Sequence, residues 1–220
     1  MTLNFCAPCL LGLEGPVSDV LRRLSFENVR AENGRVMWSG EPLDIARANI
    51  GLRCAERVLI ELGGFEARSF DSLFEWVKAL PWEEFIPKNG AFPVKGYSLN
   101  SQLHSVPDCQ RIIKKAVAER LKSRYRISWF PEDGELYQIQ FSLMKDVATL
   151  YLDTSGTGLH KRGYRPASVA APLRETLAAA MVWLARYRGK GDFCDPFCGS
   201  GTIAIEAALA AKNRAPGLNR

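Results

Sequence analysis

The sequence predicts an α+β fold over its first two thirds and the start of an α/β unit over its last third. Three observations predict it. Short apolar or alternating segments interleave with stretches whose apolar residues recur at three and four; Asn33-Gly34 and Asp133-Gly134 give two hairpin signals; and a strand, glycine loop, helix order surrounds Gly199-Ser200-Gly201-Thr202. The 220 residues are 47% hydrophobic and 24% charged, which excludes a disordered or collagen-like chain and leaves room for one or two domains. No run of about 18 apolar residues occurs, and the first basic residue is Arg22, so neither a membrane span nor a basic leader is expected. The expectation is a soluble cytoplasmic protein. Its six cysteines, Cys6, Cys9, Cys54, Cys109, Cys194 and Cys198, read as reduced thiols. No repeat of 20 to 50 residues is visible, which disfavours a solenoid.

In the first block, Leu3 to Leu13 reads as a strand broken by Pro8, and Val17, Val20, Leu21 and Leu24 form a helical stripe. Asn33-Gly34 turns a hairpin inside Val29 to Trp38. A long helix is predicted from Pro42 to Leu62, stopped by Gly63-Gly64, and a short one from Phe70 to Leu80. The second block opens with a strand over Phe92 to Leu99 and a helix from Pro107 to about Arg124. Three strands follow: Ile127 to Phe130, one in which Tyr137, Ile139, Phe141 and Leu143 share a face, and Val147 to Leu152 after a Lys145-Asp146 turn. Beyond a basic linker, Leu159 to Arg165, Pro172 is expected as the first residue of a helix running to about Tyr187. Asp192 to Asp195 then reads as a strand, and Ile203 to Ala211 as a helix.

The chemistry-bearing string is Asp195-Pro196-Phe197-Cys198-Gly199-Ser200-Gly201-Thr202. Two glycines let the backbone turn sharply and approach a ligand, and a new helix directs free N–H groups and its positive dipole end toward it. No Lys precedes Thr202, so this is no nucleotide-hydrolase phosphate loop, and the third glycine of the dinucleotide fingerprint is missing. A bare turn without ligand is the plain alternative. The string resembles the first motif of class I S-adenosylmethionine-dependent methyltransferases, in the form that methylates exocyclic amino groups of nucleic-acid bases. Leu159-His160-Lys161-Arg162-Gly163-Tyr164-Arg165 and Ala171 to Ala180 resemble the linker and first helix of THUMP-domain RNA methyltransferases. Val94 to Ser101 and Pro107 to Lys115 are similar to the THUMP segment itself. The relatives it resembles are bacterial enzymes akin to the N-terminal half of the bifunctional 23S ribosomal RNA guanine-N2 methyltransferase.

That resemblance implies a ferredoxin-like region over 1–80, a THUMP region over 81–157 and, over 158–220, a linker, helix and first strand-loop-helix of a Rossmann-like methyltransferase domain. It implies S-adenosyl-L-methionine as cofactor, with Pro172, Asp195, Phe197, Gly199, Ser200, Gly201 and Thr202 around it, and structured RNA, above all large-subunit ribosomal RNA, as partner. The family's amine-holding Asn-Pro-Pro-Tyr-like motif occurs nowhere, and only 26 residues run from Asp195 to Arg220. The expectation is therefore a fragment or a truncated copy, inactive alone, with no catalytic residue to name; a purely RNA-binding module and a DNA amino-methyltransferase are the alternatives.

Charge points to RNA independently of the resemblance. Between Ile86 and Arg126 nine Lys and Arg face two acids, Asp108 and Glu119, while the whole chain is only +5. On a helical wheel Arg111, Lys114, Lys115 and Lys122 share about one third of the circle, opposite Ile112, Ile113, Ala116, Val117 and Leu121. Lys95, Lys161, Arg162, Tyr164 and Arg165 complete the expected RNA contacts. Arg120 falls in the apolar half and spoils the pattern. Cys6-Ala7-Pro8-Cys9 lacks the partner pair of a zinc site, so no metal is expected. His104 reads as a surface residue, His160 as part of the basic linker, and Glu206 as an acid favoured by its helix dipole.

Overall fold

The computed structural model describes residues 2–165 and 172–220; Ala171 of the expected first helix lies outside them. Two compact units divide the chain. The first comprises the described residues of Met1–Leu59 and Ser155–Arg220, the second Ile60–Thr154. The Phe70 helix, placed by sequence in the first block, thus falls in the second unit.

In the first unit β1 (Leu3–Pro8) pairs antiparallel with β3 (Arg35–Gly40), and β3 with β2 (Glu27–Glu32). Phe5 opposes Trp38 in that register, and their rings stack 5.2 Å apart. Four helices belong here: α1 (Glu14–Arg23), α2 (Asp44–Gly51), α5 (Glu175–Leu184) and α6 (Thr202–Ala211). α1 packs on β2, β3 and α5, and α5 on α6.

The second unit runs β4 (Leu59–Glu66), α3 (Phe70–Ala79), a 3-10 turn (Trp82–Glu84), β5 (Val94–Leu99), α4 (Val106–Tyr125), β6 (Ile139–Met144) and β7 (Val147–Asp153), with sheet order β4-β7-β6-β5. β6 is antiparallel to β7 and parallel to β5. Lys145 and Asp146 join β6 to β7 with φ of 52° and 65°, the signs a two-residue type I′ hairpin demands. Gly96 pairs with Phe141, and any Cβ there would collide with the Phe141 carbonyl. α4 buries Cys109, Ile113, Ala116, Val117 and Leu121, the apolar half of its wheel, and packs on α3 and β5.

Four sequence expectations are corrected. The Pro42 to Leu62 helix ends at Gly51, and Gly63-Gly64 lies inside β4 rather than ending a helix. A short apolar run such as Val58-Leu59-Ile60 suits either element, and tertiary bonds decide: the Glu56 amide donates to the Pro8 carbonyl (2.8 Å) and the Val58 amide to Ser155 Oγ (2.8 Å). Ile127 to Phe130 joins no ladder. Arg126 turns left-handed at φ 54°, and Phe130 tucks edge-on to Phe92 with centroids 5.3 Å apart. Pro172 is exposed and non-helical, because the Leu173 carbonyl accepts from Arg165 (2.8 Å) and α5 begins only after Arg174. Asp192 to Asp195 pairs with no strand among the described residues. In that set no helix is long and apolar enough to cross a membrane.

Candidate functional site

The glycine loop forms because Gly199 and Gly201 take φ of 50° and 73°, a region costly for residues with a Cβ. The Gly201 amide donates to the Cys198 carbonyl (2.7 Å), which closes the turn and starts α6 at Thr202. A Cβ on Gly201 would meet nothing within 4 Å, and one on Gly199 only the Phe197 carbonyl at 3.9 Å. The loop therefore faces open space.

α6 has Gly201 at its N-cap and no side-chain cap, so the first-turn N–H groups remain available. Asp195 accepts the Phe197 amide through Oδ1 (3.2 Å), while its Oδ2 is buried without a hydrogen-bond partner. A carboxylate oxygen held out of water at the mouth of an uncapped glycine turn needs a donor. These features fit a cofactor carrying hydroxyl or ammonium donors. Phe197 is 93% exposed and Pro172 and Ser200 are exposed, whereas Thr202 is buried.

The linker residues turn inward instead of toward solvent. Arg162, expected to meet RNA, is buried with its Nε 3.3 Å from Glu206 Oε1, side-chain exposures being 1% and 0%. Its other nitrogens donate to the carbonyls of Leu159 (2.8 Å), Leu52 (3.4 Å) and Arg53 (2.5 Å), which satisfies the chain just past α2. Arg162 cannot contact RNA from there. Tyr164 donates its O–H to Glu206 Oε1 (3.0 Å), and burial, reinforced by that carboxylate, raises its pKa so that the proton stays on. Arg165 donates to Thr202 Oγ1 (2.5 Å) and the Leu173 carbonyl (2.8 Å) and pairs with Glu175 (3.3 Å). His160 turns its Nδ1 toward Glu56 (3.7 Å). Of the linker side chains expected to meet RNA, Lys161 alone is exposed.

Glu206 is thus a buried hub rather than the dipole-favoured acid expected from sequence. A signal for it existed: Glu206 is the only charged residue of α6, and a lone acid in an apolar helix is buried only when paired. Glu56 is a second unforeseen hub, accepting from Thr176 (2.8 Å) and Arg174 (3.4 Å).

In the second unit the expected basic face of α4 is partly spoken for. Arg111 pairs with Asp108, and Lys114 with Glu132 (2.7 Å). Lys115 lies over the Phe74 ring (5.5 Å) and Lys122 over Trp129 (5.8 Å), a ring 75% exposed. Lys95 is exposed on β5. Arg120, the residue out of pattern, forms a two-pronged bridge to Glu83 (2.9 and 2.6 Å). Cys6 is buried, and burial pushes the Cys9 thiol up to about 12; among the described residues no group of three or more His, Cys, Asp or Glu is placed to hold a metal ion.

Three family models match successive segments: the RlmL ferredoxin-like domain over 4–59, the THUMP domain over 67–153 and the RMKL-like methyltransferase domain over 162–220. The chain thus joins ferredoxin-like and THUMP segments to a methyltransferase-like one. It is 52% identical to the "Putative RNA methyltransferase YpsC" of Bacillus subtilis, covering 100% of this chain and 57% of that protein. It is 36% identical to the "Ribosomal RNA large subunit methyltransferase K/L" of Syntrophotalea carbinolica, over 99% of this chain and 31% of that one. Among solved structures, a "predicted N6-adenine-specific DNA methylase" from Listeria monocytogenes superposes with TM-score 0.96 at 49% identity, covering 100% of this chain and 58% of that one. A "putative methyltransferase complexed with SAH" superposes with TM-score 0.94 at 43% identity, covering 100% of this chain and 58% of that one. The chain therefore spans a little over half the length of its Bacillus relative. The fold class expected from sequence, ferredoxin-like and THUMP regions followed by methyltransferase structure, holds.

Proposed function

We propose that this chain is the RNA-recognition and cofactor-loop portion of an S-adenosylmethionine-dependent RNA methyltransferase, which in its whole form methylates guanine N2 in large-subunit ribosomal RNA. One observation carries the cofactor reading. The uncapped turn of α6 and the orphaned Asp195 Oδ2 present donors and an acceptor on one open loop. S-adenosylmethionine, when bound, supplies a methyl group on a sulfonium, a good leaving group. The protein's share is to bind and align. Gly199 and Gly201 would admit the methionine end to the backbone, Asp195 would accept a donor from it, and Ser200 and Thr202 would edge the helix start. Within the 220 residues no Asn-Pro-Pro-Tyr-like sequence occurs, so no residue is assigned to the target amine, and the chain by itself is expected to bind cofactor weakly and to transfer no methyl group.

The RNA reading rests on the charge concentration between Ile86 and Arg126 and on the THUMP match. The ribosomal target rests on the name of the Syntrophotalea relative, while the name of the Listeria protein favours a DNA amine. Retention on structured RNA against duplex DNA at one salt concentration separates the two. Stronger retention on DNA would overturn the RNA assignment. Calorimetry with S-adenosylhomocysteine, on a whole polypeptide containing this chain, tests the loop, and absence of binding would overturn the cofactor reading.

A further inference from the structure

We infer that Arg165 and Glu206 are positioning residues: a latch from the linker holds the start of α6 in place of a helix cap, leaving the first-turn N–H groups of α6 free for a ligand. The inference rests on the reading of that loop as a cofactor site. A Ser or Thr at the N-cap itself ordinarily accepts a hydrogen bond from a first-turn amide, but Gly201 holds that position here. Here Ser200 and Thr202 flank the N-cap, yet their hydroxyls lie 3.1 Å from each other, and Thr202 Oγ1 accepts from Arg165 (2.5 Å). Neither caps the helix.

A capped start would spend the very N–H groups that an anion or carboxylate needs. An unfastened start would fray. The latch resolves this conflict from the far side of the turn. Arg165 is itself fixed by the Leu173 carbonyl and Glu175, so it ties the beginning of α5 to the first residue of α6. One turn further along, Glu206 receives Arg162 and Tyr164. Three linker side chains therefore grip α6 at Thr202 and Glu206, four residues apart and hence on one face, and the hydrogen bonds they use are side-chain bonds that leave the backbone amides untouched.

The test is amide exchange, followed by NMR on the chain without ligand. The reporting amides are Gly201, bonded to the Cys198 carbonyl (2.7 Å), and Ile205, bonded to the Gly201 carbonyl (2.9 Å). Arg165→Ala should speed exchange at both by about tenfold or more, as local opening does, while amides of β6 and β7 keep their rates. Arg165→Lys, which keeps charge and a donor but cannot span Leu173, Glu175 and Thr202 together, should fall between. Glu206→Gln preserves the side-chain volume and should loosen Ile205 more than Gly201. Unchanged exchange at Gly201 and Ile205 in Arg165→Ala would overturn the latch, and so would an equal acceleration throughout residues 172–220, which marks a general loss of packing. Titration of S-adenosylhomocysteine is scored separately: its failure in the whole wild-type polypeptide refutes the cofactor reading, whereas exchange alone decides the latch.

Discussion

Arg162 and Glu206 form an ion pair at 3.3 Å with almost no solvent exposure on either side chain. Removing one member of such a pair strands the other charge in low dielectric, at a cost of about 3 to 5 kcal/mol. Arg162→Ala should therefore lower unfolding stability by that order in denaturant titration. Because the guanidinium faces Glu206 and backbone carbonyls, the same change should leave the salt dependence of RNA binding unaltered in protein that remains folded. A flattened salt slope with native stability would return Arg162 to the RNA surface.

Two cations of α4 carry the next expectation. Lys115 and Lys122 rest over aromatic rings and, among the described residues, form no ion pair with a carboxylate, unlike Lys114 and Arg111. Replacing both with Ala should reduce the dependence of RNA affinity on salt by roughly two counterions, at about 0.7 to 0.9 per phosphate contact. Lys114→Ala should change it less, since Glu132 already neutralises that ammonium. Equal slopes for the wild type and the double variant would remove α4 from the interface.

Local signals explain what the sequence made legible. The Asn33-Gly34 hairpin and the apolar face of α4 follow from turn chemistry and periodicity and form as expected, and β6 buries Ile139, Phe141 and Leu143 as its alternation predicts, although Ser142 is buried as well. What sequence reading missed depends on distant partners. Gly63-Gly64 sits inside β4, and residues 52–58 leave the helix because Arg162, Pro8 and Ser155 satisfy backbone groups from over 40 residues away. At the candidate site the glycine loop was visible in the residue string itself. The inward turn of Arg162 and Tyr164 was not, because a basic linker reads as solvated until the lone acid of α6 is recognised as its partner.

Acid sensitivity should trace in part to Glu83. Hydrogen bonds from Arg120, with help from Arg124, hold its carboxyl below the ordinary value of 4.5. A carboxyl with a depressed folded-state pKa adds stability that is complete above the unfolded value and is lost as pH falls through the folded one. Glu83→Gln should therefore destabilise the protein near neutrality and shrink the further loss between pH 4.5 and the folded value. Parallel stability curves across that window, from denaturant melts at stepped pH, would contradict the assignment.

The glycine loop gives the last prediction, because space and backbone act there in opposite directions. No protein atom lies within 4 Å of a Cβ built on Gly201, so Gly201→Ala costs no clash, but its φ of 73° is unfavourable for alanine. The backbone term alone should lower stability by about 1 kcal/mol. If the open space belongs to S-adenosylmethionine, the same methyl group would take volume from the ligand, and affinity for S-adenosylhomocysteine in a whole polypeptide should fall well beyond what the stability loss explains. The isolated 220 residues should bind it weakly, since such pockets normally bury most of a ligand's surface and this loop is only one wall. Calorimetry decides both points. Wild-type affinity in Gly201→Ala would mean that the ligand does not approach this backbone, and tight binding or methyl transfer by the isolated chain would show that these residues make a more complete pocket than one wall.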